Sequence, residues 1–268
     1  MKIINYCYND IYYIYHFANN LYNELKKKYE IQIYHINCNT VLNRHASMIE
    51  LVDDEGLITI FDFGDPVPFI NEILNEDNLK NLYTTQYHLY SKFNDKVKKF
   101  TYMEKHWGGV KNKPFDIENT IPKMVFIGSM IPQREVLNHI PVDYIDVLII
   151  GVLNGLSFEQ YIQTMSKYRL GFSPAGGSDI SLRDCECYGL GLPTIRKKQE
   201  VQLLEPLIEN FHYISYEGDI NNLIKRFKEV VNDIEFLKFI SYNAKCWYNE
   251  NLNENIIKKI IHTYENNS

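Results

Sequence analysis

Short apolar runs alternate with amphipathic stretches along most of the chain, the pattern of strands interleaved with helices. Residues 2–8 and 31–36 read as strands flanking a helix over 11–28, in which Ile14, Phe17, Ala18 and Leu21 recur on one face. Such a β-α-β opening pairs its strands in parallel with a right-handed crossover, so ligands meet the loops at the strand C-terminal ends. Those loops begin at Asn9-Asp10 and Asn37-Cys38-Asn39. A polar loop over 39–48, a helix through Val52, a strand over 57–61, a helix over 69–82 and strands near 84–90 and 98–102 complete a five-stranded Rossmann-like sheet.

A stretch rich in turn formers and charge, 110–120, separates this half from the next. Strands follow over 123–127, 144–150 and 170–172, after Pro193, and over 212–216. The run over 144–150 is apolar and rich in β-branched residues, which predicts a strand buried on both faces. Ser157 to Gln160 form a capping box opening a helix to Tyr168, and Asp219 caps a helix with Ile220, Leu223, Ile224, Phe227 and Val230 on one side. Helices over 233–247 and 254–264 close the chain. The pattern predicts an α/β protein of two Rossmann-like domains, 1–115 and 116–245, with a C-terminal helical segment, 246–268, able to cross back to the first domain.

The chemistry concentrates in LGFSPAGGSDISLRDCECYGLGLPTI, residues 170–195: a short strand, a small-residue loop, a compact helix and a second strand. Ser181 reads as the N-cap with Asp184 as its box acid, and Gly191 and Pro193 as terminators. The first turn of a helix offers N–H groups without intrahelical partners at the positive end of the macrodipole, and glycines admit a phosphate close to the main chain. Ser173, Gly176, Gly177 and Ser178 supply such a loop, Arg183 a guanidinium fork suited to phosphate oxygens, and Glu186, one turn on, an acceptor for a ribose diol. The competing reading is an ordinary loop before a helix that carries an exposed Arg183/Glu186 ion pair.

Ser181-x-Arg183-x-x-Glu186, followed by Gly191 and Pro193, resembles the donor-binding segment of GT-B glycosyltransferases, the exostosin-like and related groups in particular. The resemblance runs from about Lys123 onward; the N-terminal half resembles no family we can name. It implies GT-B architecture, a nucleotide-diphosphate sugar as donor, serine and arginine on the diphosphate, and the glutamate on the ribose. It also implies a saccharide or glycoconjugate acceptor held by the first domain, with no cofactor and no metal. The same resemblance, together with the absence of the second carboxylate of the retaining E-x7-E pattern ahead of Glu186, favours an inverting transfer.

Other candidates are scattered. A strand again enters a small-residue loop and a helix at Gly128-Ser129, where Arg134 either reaches the diphosphate or pairs with Glu135 or Asp146. Asp62 and Asp65, beside Gly64 and Pro66 after a strand, are the candidate catalytic bases, although Asp65 equally suits a turn before proline. Asp10 and His106 rank below them.

Composition narrows the picture. The 268 residues are 45% hydrophobic and 23% charged, an ordinary globular make-up, and a net charge of -6 argues against broad nucleic-acid binding. The basic runs at 26–28, 96–99 and 196–198 are short, and most of them read as solvated faces. Five cysteines without regular spacing indicate neither a disulfide framework nor a zinc site, which fits a cytoplasmic protein, in the host cytoplasm if viral. No signal peptide or run near the roughly 18 apolar residues of a membrane span is visible. Heavy use of Asn, Ile, Lys and Tyr suggests an AT-rich coding genome, viral or low-GC bacterial. Two alternatives to a saccharide glycosyltransferase stay open: a phage-type glucosyltransferase of DNA bases, and a nucleotide-sugar binding module without catalysis.

Overall fold

Two sheets organise the chain, one in each of two units. The first unit is Met1–Glu104, Val201–Pro206 and Asn251–Ser268; the second is Lys105–Glu200 and Leu207–Glu250. The structure is a computed structural model, described over residues 1–6, 12–36, 48–63, 70–84, 90–92, 94–100, 115–130, 132–149, 156–174, 181–198 and 202–266.

In the first unit β1 (Lys2–Asn5), α1 (Tyr12–Leu25) and β2 (Gln32–His35) form the expected β-α-β unit, with β1 and β2 parallel. The sheet continues through β3 (Met48–Val52), β4 (Ile58–Asp62), β5 (Leu79–Thr84) and β6 (Val97–Lys99), in the order β2-β1-β3-β4-β5-β6. Residues 48–52 are therefore a strand where a helix was expected. The reason is tertiary: β3 lies antiparallel between β1 and β4, where its backbone pairs on both sides and Met48, Ile49 and Leu51 are buried. Glu50, buried with them, accepts a hydrogen bond from the Tyr6 hydroxyl at 2.9 Å.

The helix expected over 69–82 is likewise cut short: α2 spans Ile70–Leu74, and the polar residues 75–78 turn the chain into β5. One face of the sheet carries α1 and the last helix, α7 (Asn253–Asn266), whose Ile256, Ile257 and Ile260 pack with Phe17, Leu21 and Leu25. Phe17, Phe61, Phe63 and Phe100 fill this core with edge-to-face and tilted rings 4.9 to 5.9 Å apart.

The second unit is a parallel five-stranded sheet ordered β11-β10-β9-β7-β8, from β7 (Ile121–Gly128), β8 (Ile145–Ile149), β9 (Tyr168–Ser173), β10 (Thr194–Lys197) and β11 (Ile214–Tyr216). A 3₁₀ helix (Pro132–His139) links β7 to β8, α3 (Phe158–Met165) links β8 to β9, and α4 (Leu182–Leu190) links β9 to β10. After β11 come α5 (Ile220–Val230) and α6 (Ile234–Glu250). β8 is an edge strand and not one buried on both faces: Ile149 is 52% exposed. An apolar run does not disclose whether the chain adds a strand beyond it, and here the chain returns to the other side of β7.

Candidate functional site

Because β8 lies on one side of β7 and β9 on the other, the strand order reverses between β7 and β9. In open parallel sheets the crevice at the C-terminal ends of the strands flanking such a reversal is where ligands bind. Those sequence candidates of the second unit that lie among the described residues gather here. Gly128 ends β7, Ser173 ends β9, and Ser181 opens α4 with Arg183 in its first turn.

The start of α4 is fixed locally. The Ser181 amide and hydroxyl both donate to Asp184 Oδ2, at 2.8 and 3.1 Å, and the Ser173 hydroxyl lies 3.3 Å from that of Ser181. The Ser181 hydroxyl proton is thus engaged within the cap. Gly191 closes α4 in the left-handed conformation (φ 78°), which glycine adopts without strain.

Arg183 is 8% exposed, so the exposed Arg183/Glu186 pair considered from sequence is not what forms. Its guanidinium lies over the Phe126 ring, 4.0 Å from the centroid, and Nη2 donates to the Ile127 carbonyl. Nε and Nη1 have no hydrogen-bond partner among the described residues. Arg134, at the start of the 3₁₀ helix, approaches the same ring at 5.4 Å and donates through Nη1 to the Ser129 carbonyl at 2.8 Å; its Nε has no hydrogen-bond partner among the described residues. Neither arginine makes an ion pair with Asp or Glu among the described residues, including the Glu135 and Asp146 weighed for Arg134. Asp146 is instead held by Lys123 at 3.0 Å and by the Tyr168 hydroxyl at 2.9 Å. Burial, and then the positive charge of Arg183, holds the Arg134 pKa below its usual value.

Two guanidinium groups that share one aromatic platform and keep donors in reserve are equipped to receive a dianion. Gly128 makes room for them, since a methyl group there would overlap Arg183 Nη2. Glu186, on the next turn of α4, is half-buried, and the Tyr161 hydroxyl on α3 donates to its Oε2. Burial pushes the carboxyl up to about 7, against the pull of the Tyr161 hydrogen bond and the Arg183 charge.

Phe126, Gly128, Tyr161 and Arg196 belong to this neighbourhood and were not singled out as site residues from sequence. Arg196, read as part of a solvated basic run, is buried on β10 against Asp184. Strand alternation turns it inward while Lys197 is exposed. Cys185 and Cys187 are buried and form no disulfide among the described residues, and burial raises the Cys187 thiol to about 12.

In the first unit Asp62 ends β4 with no exposed surface, and its Oδ2 accepts from the Thr84 hydroxyl at 2.9 Å. Asp65, Gly176, Gly177 and Ser178, together with Asp10 and His106, lie outside the described residues. Among the described residues no three His, Cys, Asp or Glu side chains are placed to hold one metal ion, and no helix is long and apolar enough to cross a membrane.

Neither a family model nor a curated protein sequence matches the chain. Solved structures do. A glycosyltransferase from Rickettsia africae superposes with TM-score 0.52 at 10% identity, over 93% of this chain and 73% of that one. Anabaena HepE in complex with UDP-glucose gives 0.50 at 11% identity, over 74% of this chain and 67% of HepE. The fold is GT-B. TarM gives 0.51 at 12% identity over 92% of this chain, which spans 57% of TarM. Within this GT-B fold the second unit carries the arginine pair at its strand-order reversal.

Proposed function

We propose that the protein is a glycosyltransferase that takes a nucleotide-diphosphate sugar and moves the sugar to a hydroxyl of a saccharide or glycoconjugate. The observation that carries this reading is the pair of buried Arg183 and half-buried Arg134 around Phe126 at the β7/β9 reversal, without carboxylate partners among the described residues. Cations left unneutralised in a partly enclosed place are costly unless a ligand supplies the missing charge. The GT-B fold and the resemblance of Ser181-x-Arg183-x-x-Glu186 to exostosin-like donor segments support a sugar nucleotide, and the UDP-glucose bound by HepE supports uridine as its nucleoside.

In this reading the arginines and the N-terminus of α4 stabilise charge on the departing diphosphate, the task a divalent cation performs elsewhere, so the transfer needs no metal. The bond from the anomeric carbon to the phosphate oxygen breaks with its electron pair going to that oxygen. The acceptor oxygen bonds to the same carbon, and its proton passes to a base. For inversion the base is proposed among Asp62 and Asp65. The burial of Asp62 and its engagement with Thr84 favour Asp65.

Calorimetry with UDP and inorganic pyrophosphate tests the site. Arg183→Ala is expected to weaken both by about tenfold or more, the scale of a lost charge-assisted contact. Unchanged affinity for both ligands would refute it.

A further inference from the structure

Tyr161 makes one contact that the fold alone does not require. It is carried by α3, whose first turn is pinned by reciprocal bonds between Ser157 and Gln160, at 2.9 and 3.2 Å. Its ring is buried among Val125, Ile127, Met165 and Leu190. From that rigid seat the hydroxyl donates to Glu186 Oε2, across from one helix to another. Among the described residues no donor is bonded to Oε1 of the same carboxylate.

A carboxylate held by one oxygen has its plane fixed and its second oxygen left to accept. On a helix one turn beyond Arg183, that is the acceptor a ribose hydroxyl needs once the diphosphate is on the arginines. We infer that Tyr161 is a positioning residue for nucleoside recognition: by holding Glu186 Oε2 it orients Oε1 toward the ribose, and so lets the site tell a nucleoside diphosphate from bare pyrophosphate. The inference rests on the proposed diphosphate reading of Arg183 and Arg134.

The same bond has an electrostatic role. The charged groups acting on Glu186 are Arg183 and Asp184 of α4, with Tyr161 facing it from α3. Burial drives the carboxyl up to about 7 and Asp184 adds to that, while the Tyr161 hydrogen bond and Arg183 oppose it. A protonated carboxyl is a poorer acceptor, so ribose recognition fades as pH falls through neutrality. Without the phenol hydroxyl it fades at a higher pH.

The test is isothermal titration of the full chain with UDP, 2′-deoxy-UDP and pyrophosphate from pH 6 to 9, for wild type, Tyr161→Phe, Glu186→Gln and the double variant. Wild type is expected to favour UDP over 2′-deoxy-UDP by about tenfold at pH 8.5 and to lose the preference below about pH 7. Tyr161→Phe is expected to bind pyrophosphate like wild type, to lose most of the ribose preference, and to show what remains only at the alkaline end. In the Glu186→Gln background, Tyr161→Phe is expected to change the preference no further. A Tyr161→Phe protein with a lowered melting temperature but an intact preference and an unmoved pH midpoint would show a merely structural tie, and the inference would fall. It would fall alone if wild type binds pyrophosphate but does not discriminate the ribose. It would fall together with the diphosphate reading if wild type binds no pyrophosphate.

Discussion

Arg196 Nη1 lies 3.0 Å from Asp184 Oδ1 with the two side chains 3% and 1% exposed, so the acid in the first turn of α4 is matched by a cation on β10 and not by Arg183. This keeps the Arg183 donors in reserve. Removing one partner strands the other in a low-dielectric seat: Arg196→Met is expected to cost about 3 to 5 kcal/mol of stability. Asp184→Asn added to it should recover a substantial part. Urea unfolding of Arg196→Met, Asp184→Asn and the double variant checks this. Additive losses in the double variant would show that the pair is not coupled.

Gly128→Ala separates the arginine's position from the integrity of the fold. The added methyl overlaps only the far end of the Arg183 side chain and meets Phe126 at 3.4 Å, so the strand can accept it once the guanidinium shifts. Affinity for UDP should drop about tenfold or more, because the shifted fork no longer meets its ligand, while the melting temperature moves by only a few degrees. Binding at wild-type strength would mean that the position of Arg183 does not matter.

Two titratable groups, half-buried Glu186 and buried His212, push stability in opposite directions with pH. Glu186 is raised to about 7 by burial, so the folded state binds more protons than the unfolded one between roughly pH 4.5 and 7 and stability falls as pH rises through that window. His212, whose Nδ1 accepts the Ile208 amide at 2.9 Å, is lowered to about 4 by burial. The unfolded state then holds the extra proton, so its contribution is complete above about pH 6.5 and is lost as pH falls toward 4. The melting temperature of Glu186→Gln relative to wild type is expected to climb from pH 4.5 and level off above about 7. His212→Gln should lose its deficit on acidification. Flat difference curves would contradict both assignments.

What was legible in the sequence is what short-range chemistry decides. The Ser157 and Ser181 capping boxes, the Asp219 cap with Oδ1 accepting from the Asn221 and Asn222 amides, and the left-handed Gly191 all involve residues a few positions apart. The β-α-β opening was legible for the same reason. What was hidden depends on partners distant in the chain. Whether residues 48–52 coil or pair is decided by β1 and β4 on either side. Whether β8 is central or an edge is decided by where β9 goes. Arg196 looks solvated until Asp184 is beside it, and Tyr161 looks like core until its hydroxyl is seen on Glu186. At the candidate site, the residues of the S-x-R-x-x-E stretch could be proposed from sequence. Phe126 and Gly128 could not, because their part is to receive Arg183 from an element more than fifty residues later.

The catalytic base is the remaining assignment, and two carboxylates three residues apart make different predictions for it. Asp62 has no exposed surface and accepts from Thr84 across the β4/β5 pairing, so its charge supports the end of the sheet. Asp62→Asn keeps the shape but places an amide where a carboxylate accepts, and it should lower the melting temperature as it lowers the rate. Asp65→Asn, if Asp65 takes the acceptor's proton, should lower the transfer rate by about 10²-fold or more with stability and UDP affinity unchanged. Stereochemistry decides whether a base is needed, since only an inverting transfer requires one carboxylate to take that proton as the acceptor attacks. NMR of the product anomer, run alongside rates for both variants, reads all of this at once. Inversion together with a silent Asp62→Asn rate, corrected for folded protein, and a crippled Asp65→Asn rate would place the base at Asp65. A retained anomer, or full activity in Asp65→Asn, would remove Asp65 from the mechanism while leaving the Arg134/Arg183 site as it stands.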